Sequence, residues 1–374
     1  MEASEFHIPT GAILFSEGGV SYEFRQHLGE ANHGLSLFLA RKRTAEGPGG
    51  RVLLKAIGLP SGRAGARAPK AREKLEEEVR LSTALDHPGI LRVFGLHKAE
   101  GAWYVITEHP EANRLEDLLT LAMERDGYFS PSFVLYVGAQ VADALHHAHT
   151  RTDQRGRPLG IVHRAINPAT IFMDWRGAVK LADFGLALSS LPGRVASTVR
   201  RPQGDAYYSS PEVLMGFKPD GRSDLFSLGL VMLELATGKH LLAPPDGVPE
   251  AVKATLSRSK RARVGRAVKR ARKAACPDEV EGMIWRAATY TPEEMDALTK
   301  ALPQALKMPL CKLLARSRTE RFQTAGEAAD ALRGWLGASF GQREAADELA
   351  TIAEEGADRL AELDVPRRKT ARRA

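Results

Sequence analysis

The side chains that could carry chemistry lie in a few short segments of the 374-residue sequence. Two segments are central, GIVHRAINPATIFM at 160–173 and VKLADFGLA at 179–187, and two follow them, YYSSPEVL at 207–214 and SDLFSLGLVMLELATG at 223–238. Phosphoryl transfer needs a phosphate cradle, metal ligands, an ion-paired lysine and a base near the acceptor hydroxyl. Each segment alone is a weak signal for that chemistry, and the order and spacing of the segments carry the information.

In this order the segments resemble the catalytic loop, the metal-binding loop, the end of the activation segment and the following buried helix of Ser/Thr protein kinases. The stretch TRTDQRGRPLGIVHR at 150–164 is similar to soluble bacterial kinases of the kind abundant in myxobacteria. The resemblance covers residues 20–336. It implies the two-lobed α+β protein kinase fold, with a small β-rich N-lobe and a large helical C-lobe.

The pattern of the chain agrees with that fold. Short apolar runs predict strands at 35–41, 51–57, 90–96 and 103–107, and an amphipathic helix at 71–85. After residue 110 the pattern turns helical, and Ser130-Pro131 is a typical start for the helix predicted at 131–149. Short strands are predicted again at 160–183, and helices dominate from Pro211 onward. We therefore expect three parts: an N-terminal extension at 1–19, a kinase-like domain at 20–336 with its N-lobe at 20–108 and its C-lobe at 111–336, and a C-terminal helix with a basic tail at 337–374.

The resemblance implies ATP and Mg²⁺ as ligands. Lys55 matches the lysine that grips the nucleotide phosphates, and Asp183 matches the Mg²⁺ ligand. Glu78 has the family spacing for the partner of Lys55, with Glu77 as the alternative. The full set of predicted nucleotide-binding positions is Gly29, Gly34, Lys55, Glu78, Glu108 and Asp183.

Other nucleotide-binding positions depart from the family. Ala31 replaces the middle glycine of the phosphate-binding loop, where glycines let backbone N–H groups approach the phosphates. Thr107 matches the family's gatekeeper residue. The Glu108 carbonyl matches the group that accepts a hydrogen bond from the adenine amino group. The family's next contact is a backbone N–H that donates to adenine, and this position is Pro110, which has no N–H. We therefore expect weak or absent, metal-independent nucleotide binding.

The largest departure concerns the catalytic base. The degenerate catalytic loop retains His163 and Arg164, but Ala165 stands where the family has the catalytic aspartate. Asn167 and Thr170 replace the loop lysine and the asparagine that holds the second metal ion. No Asp or Glu occurs at 159–173, so a substitute base would have to be remote, for example Asp174 or Asp205. The sequence predicts no intact catalytic residue.

Residues that support the kinase fold are better kept. Glu212 is expected to pair with Arg321, and Asp224 to hold the backbone of the catalytic loop. His163 and Phe184 match the family's hydrophobic spine. Three residues are candidates for regulation. Ser197 or Thr198 could be phosphorylated, and Arg164 is expected to pair with that phosphate group.

Charge and composition bound the partners. The net charge is +7, but the segment 253–273 holds ten cations and no acids, so the rest of the chain carries 7 − 10 = −3. The segment suits acidic proteins, and the absence of interleaved aromatic residues makes nucleic acid an unfavoured partner. Without an apolar run of membrane-spanning length or a signal peptide, and with only Cys276 and Cys311, we expect a cytoplasmic protein with no transmembrane segment.

Three functions are compatible with these residues. The first is a pseudokinase, a regulator or scaffold for active kinases or for acidic-surfaced signalling proteins. The second is a divergent, weakly active Ser/Thr kinase that uses Lys55, Glu78 and Asp183. The third is a sensor that binds ATP without turnover. Whether the chain is an enzyme stays open at the level of sequence.

Overall fold

The computed structural model describes residues 8–31, 35–57, 68–99, 101–124, 127–190, 206–242, 248–274 and 276–355. The chain forms two compact units. The first unit, the N-lobe, contains residues up to Asp86 together with Ile90–Glu111 and Asp183–Gly185. The second unit, the C-lobe, contains His87–Gly89, Ala112–Ala182 and the chain from Leu186 onward. A β-sheet lobe and a helical lobe confirm the predicted α+β fold class.

In its described residues, the N-lobe is a six-stranded antiparallel sheet with one helix. The strands are β1 (Ile13–Glu17), β2 (Val20–Ala31), β3 (Leu35–Thr44), β4 (Gly47–Ile57), β5 (Val93–Ala99) and β6 (Ala102–Glu108), in the spatial order β1-β2-β3-β4-β6-β5. The helix is α1 (Ala68–Ser82), whose Leu75 packs with Ile57 and Val105. Because every neighbouring pair of strands is antiparallel, the central strand β4 is fixed on both sides.

The first hairpin of this sheet was not predicted from the sequence. Strands β1 and β2 are joined by Gly18 and Gly19, which have φ angles of 55° and 78°. Two consecutive glycines with positive φ form the tight turn that suits a two-residue hairpin. Phe15 of β1 stacks on Tyr22 of β2 with ring centroids 4.5 Å apart, which anchors the hairpin to the core of the sheet.

The C-lobe begins with helices and a small sheet. Its first elements are β7 (Ala112–Arg114), α2 (Leu115–Glu124), α3 (Pro131–His149), β8 (Ile171–Asp174), β9 (Val179–Leu181), α4 (Pro211–Leu214) and α5 (Gly221–Thr237). Strands β7, β8 and β9 pair in that order, and a short 3₁₀ turn, Pro168–Thr170, precedes β8. The Ser130 hydroxyl accepts a bond from the Phe133 N–H, which confirms the predicted start of α3.

The remaining C-lobe elements are helical. They are α6 (Glu250–Ala254), α7 (Arg258–Lys273), α8 (Glu279–Thr289), α9 (Pro292–Leu298), α10 (Gln304–Leu313), α11 (Ala325–Leu336) and α12 (Gln342–Glu355). The apolar stretch at 223–238 forms most of α5. This helix is buried almost all round and packs against α3, α10 and α11. Cys276 and Cys311 are free thiols. Within the described residues, no helix combines the length and apolar character that crossing a bilayer requires.

Candidate active site

Lys55 is held at the centre of the N-lobe sheet. It lies on β4 between Leu37 of β3 and Val105 of β6. Its ammonium Nζ is 2.6 Å from Oε1 of Glu78 on α1, and the Glu78 side chain is buried. Glu78, rather than its neighbour Glu77, therefore holds Lys55.

Asp183 completes this cluster of charges within the N-lobe. Its Oδ1 lies 3.0 Å from the Lys55 Nζ, and its φ of 67° is rare for a residue with a side chain. A Cβ added to Gly185 would lie 3.0 Å from Oε2 of Glu78, so glycine permits this close approach. Burial alone would lower the pKa of Lys55, but the charges of Asp183 and Glu78 outweigh burial and raise that pKa above its usual value. The lysine is a permanent cation between two carboxylates.

The segment 108–111, which matches the family's hinge and carries the predicted adenine-binding positions Glu108 and Pro110, offers few donors for a ligand. The Glu108 N–H donates to the Arg92 carbonyl at 2.8 Å, and the Glu111 N–H donates to Nδ1 of His109 at 3.1 Å. Pro110, between them, has no N–H. Thr107 is buried, and its hydroxyl donates to the Leu53 carbonyl at 3.3 Å. Three of the four backbone positions at 108–111 therefore lack a free donor.

Restoring the donor in this hinge is expected to strengthen adenine recognition. In Pro110→Ala, one added hydrogen bond of about 0.5–1.5 kcal/mol should tighten the Kd for adenosine nucleotides roughly two- to twelvefold. Isothermal titration calorimetry with ATP measures this change. Inorganic tripolyphosphate, which has no adenine, is the control ligand, and its affinity should not change. Equal tightening of both ligands, or of neither, would contradict the assignment of residue 110 to the adenine edge.

The predicted phosphate-binding loop is described only in part. Gly29 has a φ of 106° and pairs with Leu37 beside an irregularity in the ladder between β2 and β3. Ala31 is the last residue of β2. Gly34 lies outside the described residues, so its proposed role stays a prediction.

The backbone of the catalytic loop is fixed by Asp224 within the C-lobe. Oδ2 of Asp224 accepts the N–H of His163 at 2.8 Å, and Oδ1 accepts the N–H of Arg164 at 2.8 Å. Nε2 of His149 lies 2.8 Å from the same Oδ2. These bonds hold Arg164 at a φ of 66°, the kind of strained backbone that concentrates in functional sites.

Ala165 is buried inside this fixed loop. Its N–H donates to Nδ1 of His163 at 3.2 Å, and Nε2 of His163 lies 2.9 Å from the Ala182 carbonyl. Since Nδ1 accepts, the proton of a neutral His163 sits on Nε2 and donates to Ala182. His163 is therefore committed to backbone contacts on both nitrogens, and the adjacent methyl of Ala165 can neither accept nor orient a proton.

The hydroxyl of Thr170 is used inside the loop. It donates toward the carbonyls of Ala165 and Asn167, each at 3.0 Å, and accepts the Asn167 N–H at 3.2 Å. The Asn167 side chain in turn accepts the N–H groups of Ala169 and Thr170. This reciprocal capping box stabilises the 3₁₀ turn. Both positions that differ from the family's lysine and asparagine therefore serve the loop's own structure.

Arg164 contacts backbone in this structure. Its Nε donates to the Leu186 carbonyl at 2.7 Å, and its Nη2 contacts the same oxygen. Ser197 and Thr198, the predicted phosphate acceptors, lie outside the described residues. The proposal that a phosphate there pairs with Arg164 stays a prediction.

A buried ion pair joins Glu212, at the end of the activation segment, to Arg321. Nη1 and Nη2 of Arg321 are 2.8 Å and 2.9 Å from the two carboxylate oxygens of Glu212. The Ser223 hydroxyl donates to the same carboxylate at 2.7 Å. The structure thus brings together each proposed structural pair of the C-lobe. His149 was not predicted as a partner of Asp224, because no local pattern marks a histidine at the end of a helix as a buried hydrogen-bond partner.

Comparisons with known proteins agree with this architecture. The protein kinase domain profile matches residues 27–329, so the chain belongs to the protein kinase family. The chain is 29% identical over 282 residues to the tyrosine-protein kinase MasK of Myxococcus xanthus, covering 75% of this chain and 42% of that protein. It is 30% identical over 174 residues to the serine/threonine-protein kinase PrkC of Bacillus subtilis, covering 46% of this chain and 24% of that protein. The chain thus spans less than half of these relatives.

The fold also matches a solved structure. The crystal structure of the Mycobacterium tuberculosis PknI kinase domain superposes with a TM-score of 0.52 at 22% sequence identity. The match covers 88% of this chain and 100% of that domain. At this identity the likeness shows the fold alone.

Proposed function

We propose that the chain is a catalytically impaired protein kinase-like domain, a pseudokinase that acts as a signalling regulator or scaffold. The observation that carries the proposal is Ala165, a methyl group in a catalytic loop whose backbone is still held by Asp224. A catalytic loop with a well-fixed backbone but no base supports a protein that keeps the kinase fold and has lost phosphoryl transfer. Loss of a positioned general base typically lowers the rate by about 10²- to 10⁴-fold.

The metal-binding residues support the same proposal. Asp183 fits one Mg²⁺ ion, which supplies charge neutralisation for the phosphates when bound. Thr170 does not fit the family's second ligand, since its hydroxyl bonds to the carbonyls of Ala165 and Asn167. We propose that ATP with Mg²⁺ binds weakly or not at all.

Two alternative functions rest on the N-lobe cluster. The ion-paired arrangement of Lys55, Glu78 and Asp183 favours a weakly active ATP-dependent kinase or an ATP-binding sensor without turnover. The donor-poor hinge at 108–111 argues against tight nucleotide binding in either alternative. We therefore rank them below a regulator that acts through other proteins.

The test is transfer of the γ-phosphate from labelled ATP by the purified chain, with Mg²⁺ and with Mn²⁺. An Asp183→Ala variant, which lacks the remaining metal ligand, sets the background. The proposal expects incorporation into the chain itself and into casein or myelin basic protein to equal that background. Incorporation that disappears in the variant would replace the pseudokinase proposal with the weakly active kinase.

A further inference from the structure

The ten cations of residues 253–273 lie mostly on one ordered helix. Helix α7 buries Val264, Ala267, Val268 and Ala271, and this spacing of i, i+3, i+4 and i+7 places them on one face. The opposite face is exposed along its whole length. It carries the residues that we name the basic ridge: Arg258, Ala262, Gly265, Arg266, Lys269 and Lys273.

Neighbouring contacts fix the flanks of this helix. Nη2 of Arg270 donates to the Met215 carbonyl at 2.5 Å, and Nε of Arg272 donates to Glu281 at 3.0 Å. On the same side as Arg270, the guanidinium of Arg263 lies over the Phe217 ring at 5.2 Å. Arg263, Arg270 and Arg272 are therefore engaged with neighbouring elements of the C-lobe, and they hold the helix that carries the basic ridge in place.

The cations of the basic ridge have no such partners. Among the residues that the structure describes, no carboxylate lies within 4.0 Å of Arg258, Arg266, Lys269 or Lys273. Lys269 and Lys273 are four residues apart, a like-charge spacing that destabilises a helix. The first turn contains Arg258, Lys260 and Arg261 and no acid, although the helix dipole favours acids there. Apart from Lys273, which lies in the last turn where the helix dipole favours a cation, the charges of the ridge have no stabilising contact within the described residues.

We propose that the basic ridge docks an acidic segment of a partner protein. The cations of the ridge recur at i, i+8, i+11 and i+15 over about 22 Å of helix, and the partner's carboxylates would supply the missing counter-charges. Ala262 and Gly265 leave room among them, and a Cβ added at Gly265 would meet nothing within 4 Å. A partner backbone can therefore approach the helix closely.

The ridge favours an acidic protein over other anionic surfaces. It presents no aromatic side chain on which bases could stack. It also presents no large apolar side chain that could insert into a lipid interface. Phe217, 45% exposed beside Arg263, offers one apolar anchor next to the ridge, as protein interfaces require. The inference rests on the proposed function for the role of the partner, while binding itself requires no catalysis.

The test measures binding of a fluorescein-labelled, 20-residue peptide that repeats Glu-Ala-Ala-Glu, by fluorescence anisotropy. The ridge variant combines Arg258→Gln, Arg266→Gln, Lys269→Gln and Lys273→Gln. The matched control combines four exposed cations elsewhere, Arg155→Gln, Lys239→Gln, Lys300→Gln and Arg343→Gln, and so has the same net charge. Circular dichroism and thermal unfolding check that both variants remain folded.

We expect the ridge variant to weaken binding at least about tenfold and the control variant less than about twofold. A conservative variant, Arg258→Lys with Arg266→Lys, should keep the affinity. Equal weakening in both four-site variants would mean that only net charge matters, and would overturn the proposal. So would tighter binding of a 20-nucleotide DNA duplex, or of phosphatidylserine–phosphatidylcholine vesicles, than of the peptide.

Phosphate transfer measured on the same samples separates this proposal from the proposed function. If the natural chain transfers phosphate and the ridge variant loses peptide binding, the docking site is supported and the pseudokinase proposal is rejected. If the natural chain transfers no phosphate and the ridge variant binds the peptide unchanged, the docking site is rejected and the pseudokinase proposal stands.

Discussion

Replacing Glu212 with glutamine is expected to lower the free energy of unfolding of the C-lobe by about 3–5 kcal/mol. The reason is that Arg321 is completely buried and would lose its only carboxylate among the described residues. Arg321 also donates to the carbonyls of Ala315, Arg222 and Arg316, and it lies 4.7 Å from the Phe226 ring. Those contacts keep the guanidinium in place, so the variant leaves a buried charge without its counter-ion.

The same pair predicts a pH dependence. Burial opposes ionisation of Glu212, but its hydrogen bonds from Arg321 and Ser223 outweigh burial and hold the pKa of Glu212 below its usual value. A carboxylate with a lowered pKa in the folded state stabilises the protein above the unfolded-state pKa, about 4.3. That contribution is lost as the pH falls through the lower, folded-state pKa. The Glu212→Gln variant should lack this acid-sensitive component.

Urea denaturation near pH 7 and below pH 4 measures both effects. The control is Arg333→Gln, which removes a half-exposed pair with Asp143 and should cost less than about 1 kcal/mol. If Glu212→Gln cost no more than the control, the buried pair would not tie the helices of the C-lobe together.

Replacing Asp224 with asparagine is expected to cost about 2–4 kcal/mol and to release the catalytic loop. Its two oxygens accept the N–H groups of His163 and Arg164, and bonds to an ionised acceptor contribute about 1.5–3 kcal/mol each. An asparagine keeps one acceptor and turns an NH₂ group toward the other donor. The Arg164 backbone, at a φ of 66°, would then lose a bond that holds it.

Hydrogen exchange at the amides of His163 and Arg164, together with urea denaturation, measures this release. Asp153→Asn is the control, because Asp153 also accepts two backbone N–H groups, from Arg155 and Arg157, but in an exposed loop and on a single oxygen, Oδ1, which an asparagine keeps. Faster exchange should appear in Asp224→Asn alone. Unchanged protection of the two amides would show that another contact fixes the loop.

The sequence was most informative at positions where the residue type alone determines the chemistry. Ala165 removes a base whatever its surroundings, and Pro110 lacks an N–H in any conformation. The fold class followed from the family resemblance, together with the change from a strand-rich to a helix-rich pattern near residue 110. The turn at Gly18–Gly19 was not predicted, although paired glycines between short apolar runs are a strong hairpin signal.

Other features depend on geometry that a sequence does not encode locally. The hydroxyl of Thr170 could have faced a metal ion or its own loop, and only the backbone of residues 165–170 decides this. His149 reaches Asp224 because α3 and α5 pack together, which is a property of the tertiary structure. The helical structure of 253–273 could be predicted in part, because Val264, Ala267, Val268 and Ala271 have helical spacing. The sequence could not show which cations of the segment remain without partners.

The measurement that tests the central claim most directly is restoration of the missing groups. The double variant Ala165→Asp with Thr170→Asn supplies a base and a second metal ligand on a loop that Asp224 already holds. Phosphate transfer from labelled ATP is compared among the natural chain, Asp183→Ala and the double variant. The account predicts that the first two are equal and that the double variant is faster by about 10²-fold or more. A folded double variant that stays at background, or a natural chain that already exceeds Asp183→Ala, would contradict the claim that a kinase scaffold has lost its chemistry at these positions.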